Sequence, residues 1–295
     1  MHGIIVIDKP AGPTSAEVVR LIKSRLGRAT RVGHLGTLDP FATGVLPIMI
    51  GEGTKLAPFL QEGEKEYAGL IKLGTETDTL DRTGAVTRTA PVPTLEADLL
   101  AALAAKFTGV IEQTPPIFSA IKRDGVPLYK LAHQGVEVAP PAPREVHVAQ
   151  LELEAVGADL LRFNVVCSSG MYVRSLARDI GVALGTAACL EELKRLRNGS
   201  FSMEEAVELA PALDALECGG DPGLVSIRAA LAAIPEVEVD ARIERSLRNG
   251  DSRALDGLAP RDAEFFKVIA RGNLVAIAEP VSRLTSTISR IFNVE

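Results

Sequence analysis

The chain has 295 residues, which is room for one large domain or for one large and one small domain. With 46% hydrophobic and 24% charged residues it is globular in composition, which excludes a wholly disordered protein. Its net charge of −6 excludes a uniformly basic coat for nucleic acid. The charge is uneven, however: residues 9–36 hold six basic and one acidic residue, whereas residues 202–264 hold 14 acidic and six basic ones. The front of the chain can therefore offer a polyanion a basic face.

The first 44 residues predict a strand, a turn, a helix and a loop in that order. Residues 4–7 are all apolar and predict a buried strand, and a Pro- and Gly-rich turn follows at 8–13. Thr14 and Glu17 have the spacing of a capping box, which predicts a helix up to about Leu26. Its inward-facing residues are expected to be Val18, Ile22 and Leu26. A glycine-punctuated loop is expected over residues 31–44.

Further strands and helices alternate along the rest of the chain. Residues 45–50 are apolar again. Strands are predicted at 67–73, 146–155 and 160–167, and helices at 95–107, 171–184 and 227–233. The helix at 95–107 is expected to face inward with Leu95, Leu99, Leu103 and Phe107. Residues 204–222 read as a less regular acidic stretch.

The end of the chain predicts a small β-rich domain. Two short apolar runs, 266–270 and 274–278, predict a hairpin with its turn at Gly272 and Asn273. We therefore expect two domains, residues 1–233 and residues 234–295.

The cellular class follows from features that the sequence lacks. Cys167, Cys189 and Cys218 do not form a disulfide framework or a metal-ligand pattern. The N-terminus runs straight into a predicted strand, without a signal peptide, and no uncharged apolar run approaches the ~18 residues of a membrane helix. We expect a soluble, cytoplasmic protein that does not associate with a membrane.

Asp39 is the strongest candidate for chemistry on local pattern. It precedes Pro40, which holds it extended, in a loop where Gly33, Gly36 and Gly44 allow close backbone approach. This pattern is typical of a catalytic acid, base or nucleophile, and equally of a simple turn former. His34 in the same loop can be a general base, a ring that stacks on a nucleobase, or only a polar loop residue.

Other reaction classes lack their motifs. The glycine-rich loop is not followed by the Gly-Lys-Ser/Thr of a phosphate-binding loop, and neither a dinucleotide fingerprint nor a G-x-S-x-G elbow occurs. The histidines have no metal-ligand spacing. Tyr67, one of three tyrosines in a chain without tryptophan, is open to interpretation as core filler or as a platform for a base, and Arg174 as a solvated helix residue or as a carboxylate partner.

Seven segments together resemble the TruB-type tRNA pseudouridine-55 synthases, in the order of that family's motifs. Residues 33–47 (GHLGTLDPFATGVLP) are similar to its catalytic motif. The others are residues 8–15 (DKPAGPTS), 65–67 (KEY), 73–81 (LGTETDTLD), 113–122 (QTPPIFSAIK), 167–181 (CSSGMYVRSLARDIG) and 193–197 (LKRLR). The resemblance covers residues 3–201 well and the tail more loosely. Leu35 stands where the family usually has a hydroxyl residue, and Ser169 and Met171 where Lys and Thr are common.

The resemblance implies a fold and a reaction. The fold is an α/β (α+β) pseudouridine-synthase core, with a mixed, largely antiparallel bent sheet flanked by helices, and a small C-terminal PUA-like β domain for RNA binding. The reaction moves the glycosidic bond of uridine 55, in the T-loop of tRNA, from N1 to C5 of the same base. It loses no group and changes no oxidation state, so it needs no cofactor and no metal.

The resemblance also implies roles for single residues. Asp39 is the essential carboxylate, Arg174 its partner, and Tyr67 the ring that stacks on the target base and serves acid–base chemistry. The uridine must flip out of the loop; His34 lies against the flipped nucleotides, Tyr172 and Leu193 line the uracil pocket, and Lys9 supports the active-site loop or contacts a phosphate. Charge alone makes Arg20, Lys23, Arg28 and Arg31 candidates for the RNA backbone.

The predicted partner is the T-stem-loop of tRNA, bound by a monomer that needs no protein partner. Two alternatives stay open at this point. One is a related synthase that acts on another RNA, as the guide-RNA-dependent relatives do with partner proteins. The other is a non-catalytic RNA-folding module on the same scaffold.

Overall fold

The computed structural model describes residues 1–119, 121–123, 125–134, 136, 138–282 and 285–293. Over these residues the strands, in chain order, are β1 (Gly3–Lys9), β2 (Val32–His34), β3 (Thr43–Ile50), β4 (Lys65–Leu73), β5 (Thr75–Thr77), β6 (Val86–Thr89), β7 (Gly109–Gln113), β8 (Lys122–Arg123), β9 (Val126–Pro127), β10 (Arg144–Ala155), β11 (Leu160–Cys167), β12 (Ala188–Asn198), β13 (Phe201–Ser202), β14 (Val207–Glu208), β15 (Leu224–Val225), β16 (Glu236–Glu238), β17 (Phe266–Ala270), β18 (Asn273–Pro280) and β19 (Ser286–Ile291).

The helices of the same residues are α1 (Ser15–Leu26), α2 (Ala57–Leu60), α3 (Ala97–Lys106), α4 (Leu128–His133), α5 (Val173–Ala183), α6 (Leu209–Glu217), α7 (Ile227–Ala230) and α8 (Ala241–Arg248). Two short 3₁₀ helices, Gly51–Leu56 and Ser252–Leu255, complete the set. None of the helices in the described residues combines the length and the apolar composition that crossing a bilayer requires.

A mixed, largely antiparallel sheet forms the centre of the molecule. Its strand order is β14-β1-β3-β12-β4-β11-β10-β7, and β15, β2 and β13 pair with β1, β3 and β12. Two pairs within this order, β14 with β1 and β3 with β12, are parallel and the other five are antiparallel. Helices α1, α3, α5 and α6 pack their apolar faces on the main core of this sheet. The predicted fold class is confirmed.

Helix α1 begins where the sequence predicts, because its cap is complete. The Thr14 hydroxyl accepts the backbone N–H of Glu17 at 3.1 Å, and the Glu17 carboxylate accepts the Thr14 N–H at 2.8 Å. Val18 and Ile22 are fully buried, while Leu26 is half-buried. The helix thus leaves the turn after β1 in a fixed direction.

The C-terminal segment forms a second sheet, which packs on the first. Its order is β16-β17-β18-β19. Ile269, Ile277 and Phe292 share one buried cluster with Ile4 and Val6 of β1. The division into domains at residue 233 stays a prediction.

Three local expectations were wrong. Leu99 is 41% exposed, and Leu100 and Leu103 are the buried leucines of α3, because this helix begins only at Ala97 and is rotated relative to the predicted face. The acidic stretch 204–222 contains α6, which buries Ala212 and Leu216. The hairpin turn lies one residue earlier than predicted, since Ala270 pairs with Asn273 and the positive φ angles fall at Arg271 (50°) and Gly272 (79°).

Candidate active site

The loop that carries Asp39 connects β2 to β3, two neighbouring antiparallel strands of the central sheet. We call residues 35–42 the Asp39 loop. It is anchored at both ends by backbone hydrogen bonds: the Leu35 N–H donates to the Pro47 carbonyl at 2.9 Å, and the Gly12 N–H donates to the Pro40 carbonyl at 2.8 Å. The turn after β1 and the Asp39 loop are therefore fastened to each other.

Lys9 lies beneath the Asp39 loop. Its side chain is fully buried, and its ammonium group donates to the carbonyls of Ala42 (2.7 Å), Pro10 (2.9 Å) and Pro40 (3.2 Å). Burial lowers the pKa of Lys9 to about 8, against the opposing charge of Asp39 and with the help of Arg195. All three donors face the protein, which favours loop support over a phosphate contact.

Arg195, on β12, holds the other half of the loop. Its guanidinium donates to the carbonyls of Val45 (2.7 Å) and Gly36 (3.0 Å), and the side chain is 1% exposed. Gly44 has a φ of +99°, and a Cβ there would lie 2.2 Å from the Arg195 carbonyl oxygen, so no larger residue fits. Next to it, the Asn198 amide donates to the Leu35 carbonyl at 2.8 Å.

Asp39 and Arg174 form a two-pronged ion pair. Arg174 Nε lies 2.9 Å from Asp39 Oδ2, and Nη2 donates to Oδ1 at 3.1 Å. The remaining Arg174 donors reach the carbonyls of Thr79 and Phe118, both at 2.9 Å. The Arg174 side chain is 6% exposed, whereas that of Asp39 is 31% exposed. The pair therefore presents its carboxylate, and not its guanidinium, to the outside.

The electrostatics of Asp39 depend on Arg174. Burial raises the pKa of Asp39 above its ordinary value and the charge of Asp81 adds to this, while the Arg174 guanidinium opposes the rise. Asp81 is itself buried, 3.9 Å from Arg174 Nη1, and accepts the Thr83 N–H at 2.9 Å. Arg174 is therefore the main group that favours the ionised carboxylate, and the charge of Lys9 adds to its effect.

Tyr67 lies on β4, opposite Arg195 of β12 and Val165 of β11. It is 7% exposed and belongs to the main core cluster, as does Leu193. Burial raises the pKa of Tyr67, with Arg195 opposing and the charge of Asp39 contributing to the rise. The hydroxyl is therefore protonated at neutral pH.

His34, the last residue of β2, pairs with Ile48 of β3. Burial lowers the pKa of His34, and the positive charge of Arg195 adds to this effect. The imidazole is therefore neutral at pH 7. Its Nδ1 is buried without a hydrogen-bond partner.

Tyr172 is the N-cap residue of α5, two residues before Arg174. Its backbone N–H donates to the Gln113 side-chain carbonyl at 2.8 Å, and the Arg144 guanidinium lies 5.0 Å from its ring centroid. One short turn thus carries both Tyr172 and the partner of Asp39.

The four residues predicted to contact the RNA backbone differ in their surroundings. Arg20, Lys23 and Arg28 are exposed and line a cleft of about 340 Å³ at the end of α1. Arg31 pairs with Glu52 at 2.8 Å, which also accepts the Asn293 N–H at 2.9 Å. The first three stay candidates on charge, while Arg31 has a partner that fixes the C-terminal segment.

Sequence reasoning assigned no role to several residues that build the site. Arg195 lay within a quoted motif, but nothing local tells a buried arginine from a solvated one. Gln113 and Asp81 also lay in quoted motifs, and Ser15 directly follows the predicted cap; its hydroxyl donates to the Leu38 carbonyl (3.0 Å) and accepts the Leu38 N–H (2.8 Å). A buried polar residue that bonds to a segment distant in the sequence has no signal in sequence spacing.

Two solved structures contain a chain whose fold is similar to the fold of this protein. Its structure is similar to a chain in the crystal structure of a Cbf5-Nop10-Gar1 complex, with a TM-score of 0.72 and 25% identity over 98% of this chain and 84% of that one. It also shares the fold of a chain in an H/ACA RNP bound to a substrate RNA containing 2'-deoxyuridine, with a TM-score of 0.73 and 23% identity over 99% and 85%.

Sequence relatives are closer. The chain is 40% identical to tRNA pseudouridine synthase B of Geobacter sulfurreducens, over 99% of this chain and 100% of the relative. It is 46% identical to the protein of the same name from Aromatoleum aromaticum, over 82% and 77%. The family model for the TruB family pseudouridylate synthase N-terminal domain matches residues 23–173, and that for the tRNA pseudouridylate synthase B C-terminal domain matches residues 174–222. The chain belongs to the TruB family of pseudouridylate synthases.

Proposed function

We propose that this chain isomerises uridine 55 in the T-loop of tRNA to pseudouridine, with Asp39 as the essential carboxylate. That the chain is a TruB-type tRNA pseudouridine synthase, an isomerase, follows from its family. The single observation that carries the site assignment is the Asp39–Arg174 pair, in which a buried guanidinium holds a partly exposed carboxylate at two points.

The reaction balances within the substrate. The bond from the sugar C1′ to N1 of uracil breaks and a bond from C1′ to C5 forms, while C5 loses a proton and N1 gains one. Asp39 serves this exchange by attacking the base, by attacking the sugar, or by removing a sugar proton. Each of these needs an ionised carboxylate held in place, which is what the Arg174 fork supplies.

The other roles fit the burial of the residues. Tyr67 has a protonated hydroxyl beside Arg195, so it approaches the base as a neutral ring and donates or relays a proton through its hydroxyl. Neutral His34 stacks against flipped nucleotides without a charge cost, and Tyr172 and Leu193 line the uracil pocket. Flipping costs a few kcal/mol of unstacking, which these contacts offset.

We infer further that the chain acts alone, as a monomer in the cytoplasm, on the T-stem-loop. The similarity to tRNA pseudouridine synthase B of Geobacter sulfurreducens extends over the whole of both chains, which supports the stand-alone reading. The solved relative with 25% identity is part of a Cbf5-Nop10-Gar1 complex, and this observation motivates the alternative of a partner-dependent enzyme.

The test is tritium release from a tRNA transcript labelled at uridine C5, with purified protein and without added metal or cofactor. Wild type is expected to release one equivalent from the T-loop, and Asp39→Asn at least ~10³-fold more slowly. Asp98→Asn, an exposed carboxylate on α3, is the matched control and is expected to behave as wild type. Binding of transcript without release by wild type would contradict the stand-alone enzyme and favour a partner-dependent enzyme or a binding module. Equal release by Asp39→Asn would contradict the site assignment.

A further inference from the structure

Two side chains at the edge of the central sheet converge on the turn before α5. Gln113 ends β7 and Arg144 begins β10, and the two are direct cross-strand partners in the antiparallel register. Cross-strand partners project from the same face of a sheet. Both side chains reach residues 170–172, the turn that leads into the helix of Arg174.

Gln113 holds the backbone of this turn. The residue is 1% exposed, and its side-chain carbonyl accepts the Tyr172 N–H at 2.8 Å. As the N-cap residue, Tyr172 has a backbone N–H that the helix itself does not use. Gln113 therefore fixes where the backbone enters α5. Its amide nitrogen is buried without a partner, a cost that the molecule carries at this position.

Arg144 contacts the side chain of Tyr172. Its guanidinium carbon lies 5.0 Å from the Tyr172 ring centroid, within the range of a cation–π contact. Its Nη2 also donates to the Gly170 carbonyl. Contacts to a ring and to the backbone two residues earlier leave Tyr172 little freedom to rotate.

The contacts of the following segment extend this hold to Arg174. The Thr114 carbonyl accepts the Ser175 hydroxyl at 2.9 Å and Arg178 Nη2 at 3.1 Å. The Phe118 carbonyl accepts Arg174 Nη2 at 2.9 Å. Segment 113–118 thus clamps the first turn of α5 through several carbonyl groups, and Gln113 is its first contact.

We propose that Gln113 and Arg144 are positioning residues for the reaction. They set the Tyr172 ring in the uracil pocket, where Arg144 contacts one face of the ring and the target base contacts the remainder. Gln113 also sets the start of the helix that carries Arg174. This inference rests on the proposed function, because it takes Tyr172 as part of the uracil pocket.

The first test reads the tyrosine directly. The chain has three tyrosines, so protein labelled with 3-fluorotyrosine gives three fluorine resonances, which Tyr→Phe variants assign. Arg144→Met is expected to shift or broaden the Tyr172 resonance and to leave those of Tyr67 and Tyr129 in place. Arg144→Lys, which keeps the charge but not the planar group, is expected to give an intermediate shift. An unchanged Tyr172 resonance in Arg144→Met overturns the proposal.

The second test is kinetic, by tritium release with kcat and KM separated. Arg144→Met is expected to lower kcat/KM by about 3- to 30-fold, mostly through KM, because it disturbs the pocket and not the reacting carboxylate. Gln113→Met leaves the Tyr172 N–H without an acceptor and is expected to lower kcat/KM by about 5- to 100-fold, through kcat as well as KM. Gln113→Glu restores an acceptor beside Arg144 and is expected to recover most of the loss.

The outcomes separate this inference from the proposed function. If wild type releases no tritium, the proposed function fails, while the fluorine resonance still decides whether Arg144 orients Tyr172. If wild type is active and Gln113→Glu is as slow as Gln113→Met, Gln113 acts through packing and its positioning role is overturned. Thermal unfolding of each variant by circular dichroism identifies any that fails to fold, and the milder Arg144→Lys then carries the test.

Discussion

Lys9, Arg174 and Arg195 are buried around the Asp39 loop, whereas Arg20, Lys23 and Arg28 are exposed at the end of α1. The buried group makes hydrogen bonds through nearly all of its donors, to backbone carbonyls and, for Arg174, to Asp39. In the exposed group, Arg20 makes an ion pair with Glu17 at 3.3 Å, and both of these side chains are exposed. A buried charge must be hydrogen-bonded to be tolerated, whereas an exposed one carries only a screened field.

The difference assigns the two groups to different tasks. The buried cations hold the backbone in and next to the Asp39 loop through hydrogen bonds to its carbonyl groups. Exposed cations remain available to a polyanion. The sequence-based interpretation left Lys9 between support of the active-site loop and a phosphate contact, and it gave Arg195 no task, because charge by itself does not indicate burial. Four tests sharpen the comparison, from the largest expected effect to the smallest.

Arg195→Met is expected to lower the free energy of unfolding more than any other of these substitutions. It leaves the carbonyls of Val45 and Gly36 without their donors inside the protein, and each such loss costs about 1–3 kcal/mol. The free energy of unfolding, measured in urea, should therefore fall by about 2–6 kcal/mol, with loss of turnover. Arg197→Met is the matched control on the same strand: its ion pairs with Glu64 and Glu66 are long (3.6 Å) and partly exposed, and its loss is expected to cost under about 1 kcal/mol. Equal losses would remove the distinction between the two groups.

Lys9 offers a pH test. Burial lowers the pKa of Lys9 in the folded chain to about 8 from 10.5, so between these pH values the unfolded chain binds more protons than the folded one. The stability that Lys9 contributes is therefore lowest below pH 8 and rises as the pH approaches 10.5, by about 3 kcal/mol in all.

The measurement for Lys9 compares wild type with Lys9→Met by urea unfolding from pH 7 to pH 10.5. Since the variant lacks the titrating group, other lysines and tyrosines cancel in the difference. The free energy of unfolding of wild type should rise relative to that of Lys9→Met between pH 7 and pH 10.5. A difference that stays flat, or one that falls, would contradict the burial of a charged Lys9.

Arg174→Lys tests the buried cation that pairs with Asp39. Lysine keeps the charge but offers a single point of contact, so the carboxylate of Asp39 loses its two-pronged hold. A misplacement of about 1 Å costs on the order of 10²-fold in rate, and kcat for tritium release should fall by about that factor. Arg162→Lys, at an exposed arginine of β11 that pairs with Glu154, should stay within about threefold. If both variants lose the same factor, the fork on Asp39 has no special role.

Some features of the fold and the site could be predicted from the sequence alone, and others could not. Periodicity and capping located α1, β4, β10 and β11 within about two residues, because each depends on local pattern. Helix α6 (LAPALDALE) was missed although six of its nine residues are Leu or Ala, because the acidic residues on both sides of it dominate the composition of residues 204–222. The Asp39–Arg174 pair joins residues 135 positions apart, and only the resemblance to a family brought them together before the structure did. The hydrogen bonds of Lys9 and Arg195 to carbonyls were beyond prediction, because no side-chain pattern encodes which carbonyl groups a fold leaves free.

The smallest effect is expected at the exposed group. Arg20→Ala and Lys23→Ala should each weaken tRNA binding by a small factor and leave kcat unchanged, because their charges act through space on the phosphate backbone. Each lost phosphate contact should reduce the slope of log Kd against log salt by about 1. Arg25→Ala is the matched control, since Arg25 is engaged with Glu217 at 3.3 Å and should leave the slope as in wild type. If Arg20 and Lys23 leave the salt slope unchanged as well, the basic end of α1 is a solvated surface whose charges complement the helix dipole, and the RNA backbone lies elsewhere.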